Sequence, residues 1–381
     1  MVERFDIVIV GGGLTGTAFA LALKNTSYRV ALVEPRPPQA PTDDWDSRIY
    51  AYSPGNVDWL RDLGGWGDPV RAQAIHGMRI FGDGGGKLTF DALETGLPEL
   101  AWIAENGRLQ YALWQAAGQA ANLTLIDATP EAVAWGESRH SLVLADGRSL
   151  ECDLLVGADG ASSWLRDQAG IGFTVKDQHQ AGVVANFEIE KPHRGIAWQW
   201  FSEDGVLAYL PLPGRRISIV WSTHEDAVPE RMARSAEAFA ADVAEAGHHV
   251  LGDLRRVTPQ AAFPLKIRRA EEWVRPGLVL IGDAAHTVHP LAGQGVNLGF
   301  RDCRLLAEML ASGGNPGDIG RLQAYAVRRM EDVASMQFTT GGLKSLFTNP
   351  DPALRVLRNT GLGLTNGQDW LKQALMRHAV Q

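Results

Sequence analysis

The sequence predicts an α/β fold: a Rossmann-like dinucleotide-binding domain, an antiparallel β-sheet domain inserted into it, and a helical C-terminal tail. Three observations carry this. The chain opens with a strand, a glycine-dense turn, a helix and a second strand. Its middle is a series of short strand-like runs broken by Gly, Pro and acidic turn residues. It then returns to a buried strand and a long helix.

Phe5 to Val10 is a β-branched run suited to a buried parallel strand. Gly11 to Gly16 make a turn, Ala18 to Leu23 are strong helix formers, and Tyr28 to Val33 form the second strand, closing with Glu34. A Pro-rich surface loop follows (PRPPQAPTDD). The strand-like runs of the middle are Ala181 to Glu190, Ile196 to Phe201, Val206 to Leu212 and Arg216 to Ser222. Arg231 to Ala246 is Ala-rich and reads as one helix. Gly277 to Gly282 reads as a buried strand and Val296 to Leu310 as a long helix. FGDGGGKL reads as a hairpin turn and not as a phosphate loop, because no helix pattern follows it. The resulting partition gives the dinucleotide domain residues 1–75, 105–175 and 273–335. The sheet domain takes 76–104 and 176–272, and the helical C-terminal segment 336–381.

At 381 residues the chain exceeds one compact core. Its 45% hydrophobic and 21% charged content is that of a globular protein. The net charge of -8 offers no basic footprint for nucleic acid. Two cysteines, Cys152 and Cys303, make no disulfide framework, so the expectation is a reducing cytoplasm. The N-terminus lacks the basic start of a signal peptide, and no run reaches the ~20 apolar residues of a membrane span. From Leu343 onward five basic residues face two acids. With the apolar anchors Leu346, Phe347, Leu354, Leu357, Leu362, Leu364, Trp370 and Leu371, that tail suits a peripheral contact with an inner-membrane surface. The alternative is helices packed back on the dinucleotide domain.

The first motif is VIVGGGLTGTAFA, with Gly11, Gly13 and Gly16 in GxGxxG spacing. Gly11 permits the tight turn, Gly13 lets backbone approach a pyrophosphate, and Gly16 lets helix and strand pack closely. The helix N-terminus offers free N–H groups to phosphates, and Glu34 suits a ribose hydroxyl. This motif does not separate FAD from NAD. No second GxGxxG strand–helix unit is present.

LLVGADGASSWLR (Leu154 to Arg166) resembles the DG motif of class A flavoprotein hydroxylases. GLVLIGDAAHTVHPLAGQGVNLGFRD (Gly277 to Asp302) resembles their GD motif. DSRIYAYSPG, ENGRLQYALW, GVLAYLPLPGRRISIVWS, KSLFTN and LRNTGL add likeness to the ubiquinone-biosynthesis FAD-dependent hydroxylases over nearly the whole chain. The resemblance implies a para-hydroxybenzoate hydroxylase-like fold with FAD as cofactor and NAD(P)H as co-substrate. It implies that reduced flavin adds O2 as a C4a-hydroperoxide and passes one oxygen to the ring of a polyprenylated phenol. The competing substrate is a soluble aromatic or polyketide. Whether the enzyme works in a ubiquinone-biosynthesis complex stays open.

The same resemblance assigns flavin contacts. Gly11, Gly13, Thr15 and Gly16 would meet the pyrophosphate, and Glu34 the adenosine ribose. Arg48 and Arg108 would lie near the pyrophosphate and ribityl chain, with surface ion pairs as the alternative. Asp159 and Gly160 would border the groove shared with NADPH, or form only a turn. Gly282 and Asp283 would meet the ribityl chain, with Asp283 as a helix N-cap the alternative. Pro290, Gly293, Gln294, Gly295, Val296 and Asn297 would pass the isoalloxazine ring, and the helix starting near Gln294 would direct its positive end there. No catalytic residue is assigned. His76, His286 and His289 are the histidines to inspect, and a structural role outweighs catalysis for each. Tyr52, Trp198, Trp200, Phe201 and Tyr209 suit either a ring pocket or the core. WQWFSE lacks the Ile-Pro of halogenases.

Overall fold

The computed structural model describes residues 2–67, 70–202, 205–288, 295–348, 351, 358–361, 365–368 and 372; the side chains of 95 and 338–348 are not described. A six-stranded sheet runs in the order Val274–Arg275, Leu278–Leu280, Leu154–Gly157, Ile7–Val10, Val30–Val33, Leu123–Ile126. Every pair is parallel except that of the Val274–Arg275 strand. Ile7 to Val10, Val30 to Val33 and Leu154 to Val156 are all buried, which is why these segments are apolar throughout and do not alternate. The Leu14–Ala22 and Gly295–Leu310 helices pack against each other beside this sheet.

An eight-stranded sheet occupies the middle of the chain. Its path is Leu254–Arg256, Phe173–Ile189, Arg216–His224, Gly205–Leu212, Ile196–Ser202, Gly77–Phe81, Lys87–Asp91, and Ala261–Ala270 also pairs with Phe173–Ile189. All pairs are antiparallel save one: Gly77–Phe81 runs parallel to Ile196–Ser202. The first strand is far longer than its apolar stretch suggested, beginning at Phe173. Its first residues are exposed, and Phe173 and Val175 are too few apolar positions to mark a strand before the polar run from Lys176 to Gln180. The region 231–246 is two helices, Val228–Ala233 and Ala236–Ala246. Arg234 is extended, and the Ser235 hydroxyl accepts the Ala238 N–H at 3.1 Å, so a new N-cap starts there.

The Gly-rich stretch is a hairpin turn, with the Gly82 N–H donating to the Gly86 carbonyl at 2.8 Å. The tail docks on this hairpin. Arg358 pairs with Asp83, both almost fully buried. Asn359 Oδ1 accepts from the Gly84 and Gly86 N–H groups at 3.1 and 2.9 Å. Asn366 accepts from the Thr89 N–H, and Lys372 pairs with Glu94 at 2.9 Å. Two of the five basic tail residues are therefore engaged within the chain. Leu346 and Phe347 fall on the end of the helix Ile319–Thr348, and the other apolar anchors lie outside the described residues.

Both cysteines are free and buried. Tyr52, Trp200 and Tyr209 are core residues, and Trp198 packs against the same cluster as Trp200. The Tyr209 hydroxyl donates to the Val243 carbonyl at 2.6 Å. Among the described residues no helix is long and apolar enough to cross a membrane.

Candidate active site

The strand register aligns four chain exits. Val33, Val10, Gly157 and Leu280 lie in one row across the parallel sheet. The chain therefore leaves the sheet side by side at Glu34, Gly11, Ala158 and Ile281, over three strand spacings or about 14 Å. This is the carboxyl edge, where open α/β sheets bind ligands.

The glycines there divide into two kinds. Gly11 has φ +105°, and a Cβ on it would stand 2.6 Å from the Ala158 carbonyl oxygen. A Cβ on Gly16 would stand 1.9 Å from the Gly11 oxygen. These two are required by the chain itself. Gly13, Gly160 and Gly295 would meet nothing within 4 Å. The bare backbone of Gly13 and Gly295 serves no packing purpose and leaves a cradle that side chains would fill, whereas Gly160, at φ +84°, is glycine because its backbone is left-handed. Gly13 is the N-cap of Leu14–Ala22, no side chain caps that helix, and its first turn holds no acid. Uncapped N–H groups beside an empty cradle fit the phosphates of a dinucleotide.

Glu34 is held in place. One carboxylate oxygen accepts the Gly12 N–H at 2.6 Å and the other the Arg36 N–H at 3.0 Å. The Gly12 carbonyl accepts from Thr17 and Gln110, both at 2.9 Å. Nearby, Arg48 and Arg108 line a cavity of ≈ 220 Å³ with Thr42, Glu105 and Gln110. Arg108 is ion-paired to buried Glu105 at 3.2 Å, and Glu105 also holds Arg71 at 2.7 Å. Arg48 is looser, 3.5 Å from Asp46 and 65% exposed.

Asp283 is exposed, yet the protein around it raises its carboxyl above the usual range. His286 and Arg268 pull it down, and Asp302 pushes it up. A carboxylate both open to solvent and crowded by protein stands inside a cleft. It has no hydrogen-bond partner among the described residues. It lies within the 3-10 turn Gly282–Ala284 whose N-cap is Ile281, so it is not the cap itself. Tyr50 shares the cleft: burial and Asp283 raise its hydroxyl pKa, while Arg48 lowers it. Sequence reasoning missed Tyr50, although its place two residues from Arg48, on the strand Ile49–Tyr52, was a usable signal.

Other motif side chains are engaged by the chain. Both Asp159 oxygens are taken, by the Ser163 hydroxyl at 2.5 Å and the Leu165 N–H at 2.9 Å, so it shapes the turn. Burial raises its carboxyl, and these bonds oppose that. Thr15 wedges between Gly282 and Gly299, where a built Cβ would come to 3.0 and 2.9 Å from it. Asn297 is buried. It accepts from Ser53 N–H and Asn56 at 2.9 and 3.0 Å and donates to the Ala51 carbonyl at 2.9 Å. Its side chain is therefore a fastener for helix Gly295–Leu310 and not an exposed flavin contact. Val296 packs beside the Tyr52 and Phe300 cluster. His289, Pro290, Gly293 and Gln294 lie outside the described residues.

A buried charge network backs the cleft. Asp302 Oδ2 accepts from the Gly282 N–H at 2.8 Å and from His286 Nε2 at 2.7 Å. Its Oδ1 accepts from Arg329 at 2.6 Å, and Arg329 also reaches Asp332. Burial pushes the Asp302 carboxyl up, but His286 and Arg329 outweigh it and hold it below its usual range. His286 is thus structural, packed on Trp273 at 4.9 Å between ring centroids. His76 is exposed and 3.2 Å from the Pro98 carbonyl. Arg329 carries no local sequence signal.

The model of the FAD binding domain family matches residues 4–338. The 3-demethoxyubiquinol 3-hydroxylase of Escherichia coli K12 is 36% identical over 98% of both chains. The ubiquinone hydroxylase UbiL of Rhodospirillum rubrum is 34% identical over 98% of this chain and 89% of its own. Among solved structures, p-nitrophenol 4-monooxygenase PnpA of Pseudomonas putida DLL-E4 superposes with a TM-score of 0.81. It covers 99% of both chains at 19% identity, which is a likeness of fold. The sheet order, the glycine cradle and these near full-length matches together make the chain a member of the FAD-binding-domain family, within its ubiquinone-biosynthesis hydroxylases.

Proposed function

We propose that this FAD-dependent monooxygenase takes electrons from NAD(P)H and places one oxygen atom of O2 on the aromatic ring of a polyprenylated phenol destined for ubiquinone. The observation that carries the substrate class is the 36% identity over 98% of the chain to a demethoxyubiquinol hydroxylase. Bound FAD supplies electron storage and O2 activation. The chain's own residues bind and orient it. Gly11, Gly13, Gly16 and the Leu14–Ala22 N-terminus receive the pyrophosphate, Glu34 the adenosine ribose and Asp283 a ribityl hydroxyl. Arg48 and Arg108 give the phosphates a cationic wall. Gly160 and Gly295 would border the flavin, Pro290, Gly293, Gln294, Val296 and Asn297 are the residues the motif assigns beside it, and the helix that Gly295 opens would direct its positive end to the ring.

In this reading residues 1–75, 105–175 and 273–335 hold the flavin, and 76–104 with 176–272 hold the substrate. The enzyme works in the cytoplasm, at the membrane face where its substrate resides. The test is anaerobic reduction by NADPH with and without a polyprenylphenol, then admission of O2 and mass analysis of the ring. Substrate-accelerated reduction and a product heavier by one oxygen are expected. Reduction without an oxygenated prenylphenol would sink the substrate assignment and leave the flavin one standing.

A further inference from the structure

The described surface has few large exposed apolar side chains, and they are not evenly spread. Val2, Leu93, Trp135 and Val327 stand apart, on separate elements. Phe173, Val175 and Phe263 stand on one feature, the ribbon formed by the start of Phe173–Ile189 and the strand Ala261–Ala270. They are 40, 47 and 40% exposed. Met232 continues the strip, because its carbonyl accepts from Gln260 just before the second strand. A soluble chain places such residues together only where something covers them.

The charges on the ribbon show what that is. Lys176 and Arg269 are exposed, and neither has an ion pair among the described residues. The register puts Lys176 opposite Ile267, Arg269 opposite Thr174 and Phe263 opposite Gly182, so these cations and Phe263 share a face. Phe173 and Val175 project from the other face, where the guanidinium of buried Arg166 lies 4.3 Å over the Phe173 ring, so Val175 is the freer of the two. The only acid on the paired stretch, Asp177, is neutralised by Lys266 at 2.9 Å. In a chain of net charge -8 this is a cationic, apolar blade. It also adjoins the cofactor cleft: the Arg268 N–H donates to the Thr287 hydroxyl at 2.6 Å, four residues beyond Asp283.

We propose that this ribbon is the surface by which the enzyme docks on an anionic lipid bilayer, with Val175 and Phe263 entering the headgroup layer and Lys176 and Arg269 meeting lipid phosphates. The proposal rests on the prenylphenol reading, since that substrate resides in the bilayer. The tail is not required for it, because Arg358 and Lys372 are engaged with Asp83 and Glu94.

The test uses the holoenzyme and sedimentation with vesicles of phosphatidylcholine, with and without phosphatidylglycerol. Wild type should bind the anionic vesicles and be released by salt. Lys176→Glu with Arg269→Glu, and separately Val175→Ser with Phe263→Ser, should each lower binding at least tenfold. Trp135→Ser, exposed just past the strand Pro130–Ala134, should not. All variants should melt like wild type and oxidise a short-chain soluble phenol at the wild-type rate, while losing rate on a long-chain substrate held in vesicles. Absence of wild-type vesicle binding, variants that bind equally well, or equal loss of the soluble-substrate rate would each overturn the docking proposal. Vesicle binding by an enzyme that oxidises no prenylphenol would leave docking intact and remove the substrate reading instead.

Discussion

Replacing Asp283 with Asn should move stability and cofactor affinity in opposite directions. Asp283 is exposed, but desolvation by the protein packed around it raises its carboxyl pKa, so the folded cofactor-free protein holds its proton more tightly than the unfolded chain does. Native protein then binds more protons than unfolded protein as pH rises above about 4, and stability falls through that window until the folded group has ionised. At neutral pH the ionised carboxylate is a strain on the fold. Asp283→Asn removes the charge, so the cofactor-free variant should melt higher than wild type at pH 7, and the difference should vanish below about pH 4. FAD affinity should change the other way. A hydrogen bond to a carboxylate is worth about 1.5–3 kcal/mol and one to a neutral amide about 0.5–1.5. The loss is therefore about 1–1.5 kcal/mol, or fivefold to tenfold in Kd. Quenching of flavin fluorescence on titration into apoprotein reads the affinity, and thermal melts from pH 4 to 8 read the stability. An Asn variant that binds FAD as tightly as wild type would refute the ribityl contact. One that melts lower at pH 7 would refute the strained carboxylate.

Gly13→Ala and Gly16→Ala should separate cofactor contact from packing. The first meets nothing within 4 Å, so apoprotein stability should hold to within about 1 kcal/mol while FAD affinity falls at least tenfold. The second puts a methyl 1.9 Å from the Gly11 oxygen and should cost about 1–3 kcal/mol or more in urea unfolding before any ligand is added. Arg329→Met leaves buried Asp302 without its arginine partner, and should cost about 3 kcal/mol at pH 7 by urea titration. The Asp302 carboxyl is held low, so its contribution is present above about pH 4 and lost as pH falls below that; the wild-type advantage over Arg329→Met should shrink there. Arg358→Leu should free the hairpin, seen as faster hydrogen exchange at Gly82 to Gly86 with unchanged exchange at Ile7 to Val10.

The cofactor edge was legible because its chemistry is local. A tight turn, a strand and a helix within thirty residues leave a pattern of glycines and β-branched residues that needs no distant partner. Strand runs in the middle were legible for the same reason. The long first strand was not, because residues 173–179 are mostly exposed with only Phe173 and Val175 apolar, and pairing with Ala261–Ala270 makes them strand. The break at Ser235 was readable from a capping serine, yet the alanine run around it concealed it. Arg329 and the Arg358–Asp83 clasp were beyond reach: each joins residues far apart in the chain, and an isolated arginine on a helix looks like any solvated one.

Membership in a motif and contact with the cofactor are separate properties, and the side chains here divide between them. Asp159, Thr15 and Asn297 sit within the flavin motifs, but their polar atoms or methyl groups are engaged by the turn at Ser163, by Gly282 and Gly299, and by Ala51 and Ser53. Asp283 and the bare backbone of Gly13 and Gly295 have no such partner among the described residues, and that is what leaves them to a ligand. Substituting a member of the first group removes flavin binding by disturbing the frame, so apoprotein stability and affinity fall together. Substituting a member of the second lowers affinity while the apoprotein stays folded, or in the case of Asp283 gains stability. Loss of bound flavin alone cannot distinguish the two; only the sign of the accompanying stability change does. The buried Asp302 belongs to the first group although it is charged, because every oxygen it has is turned inward, toward Gly282, His286 and Arg329.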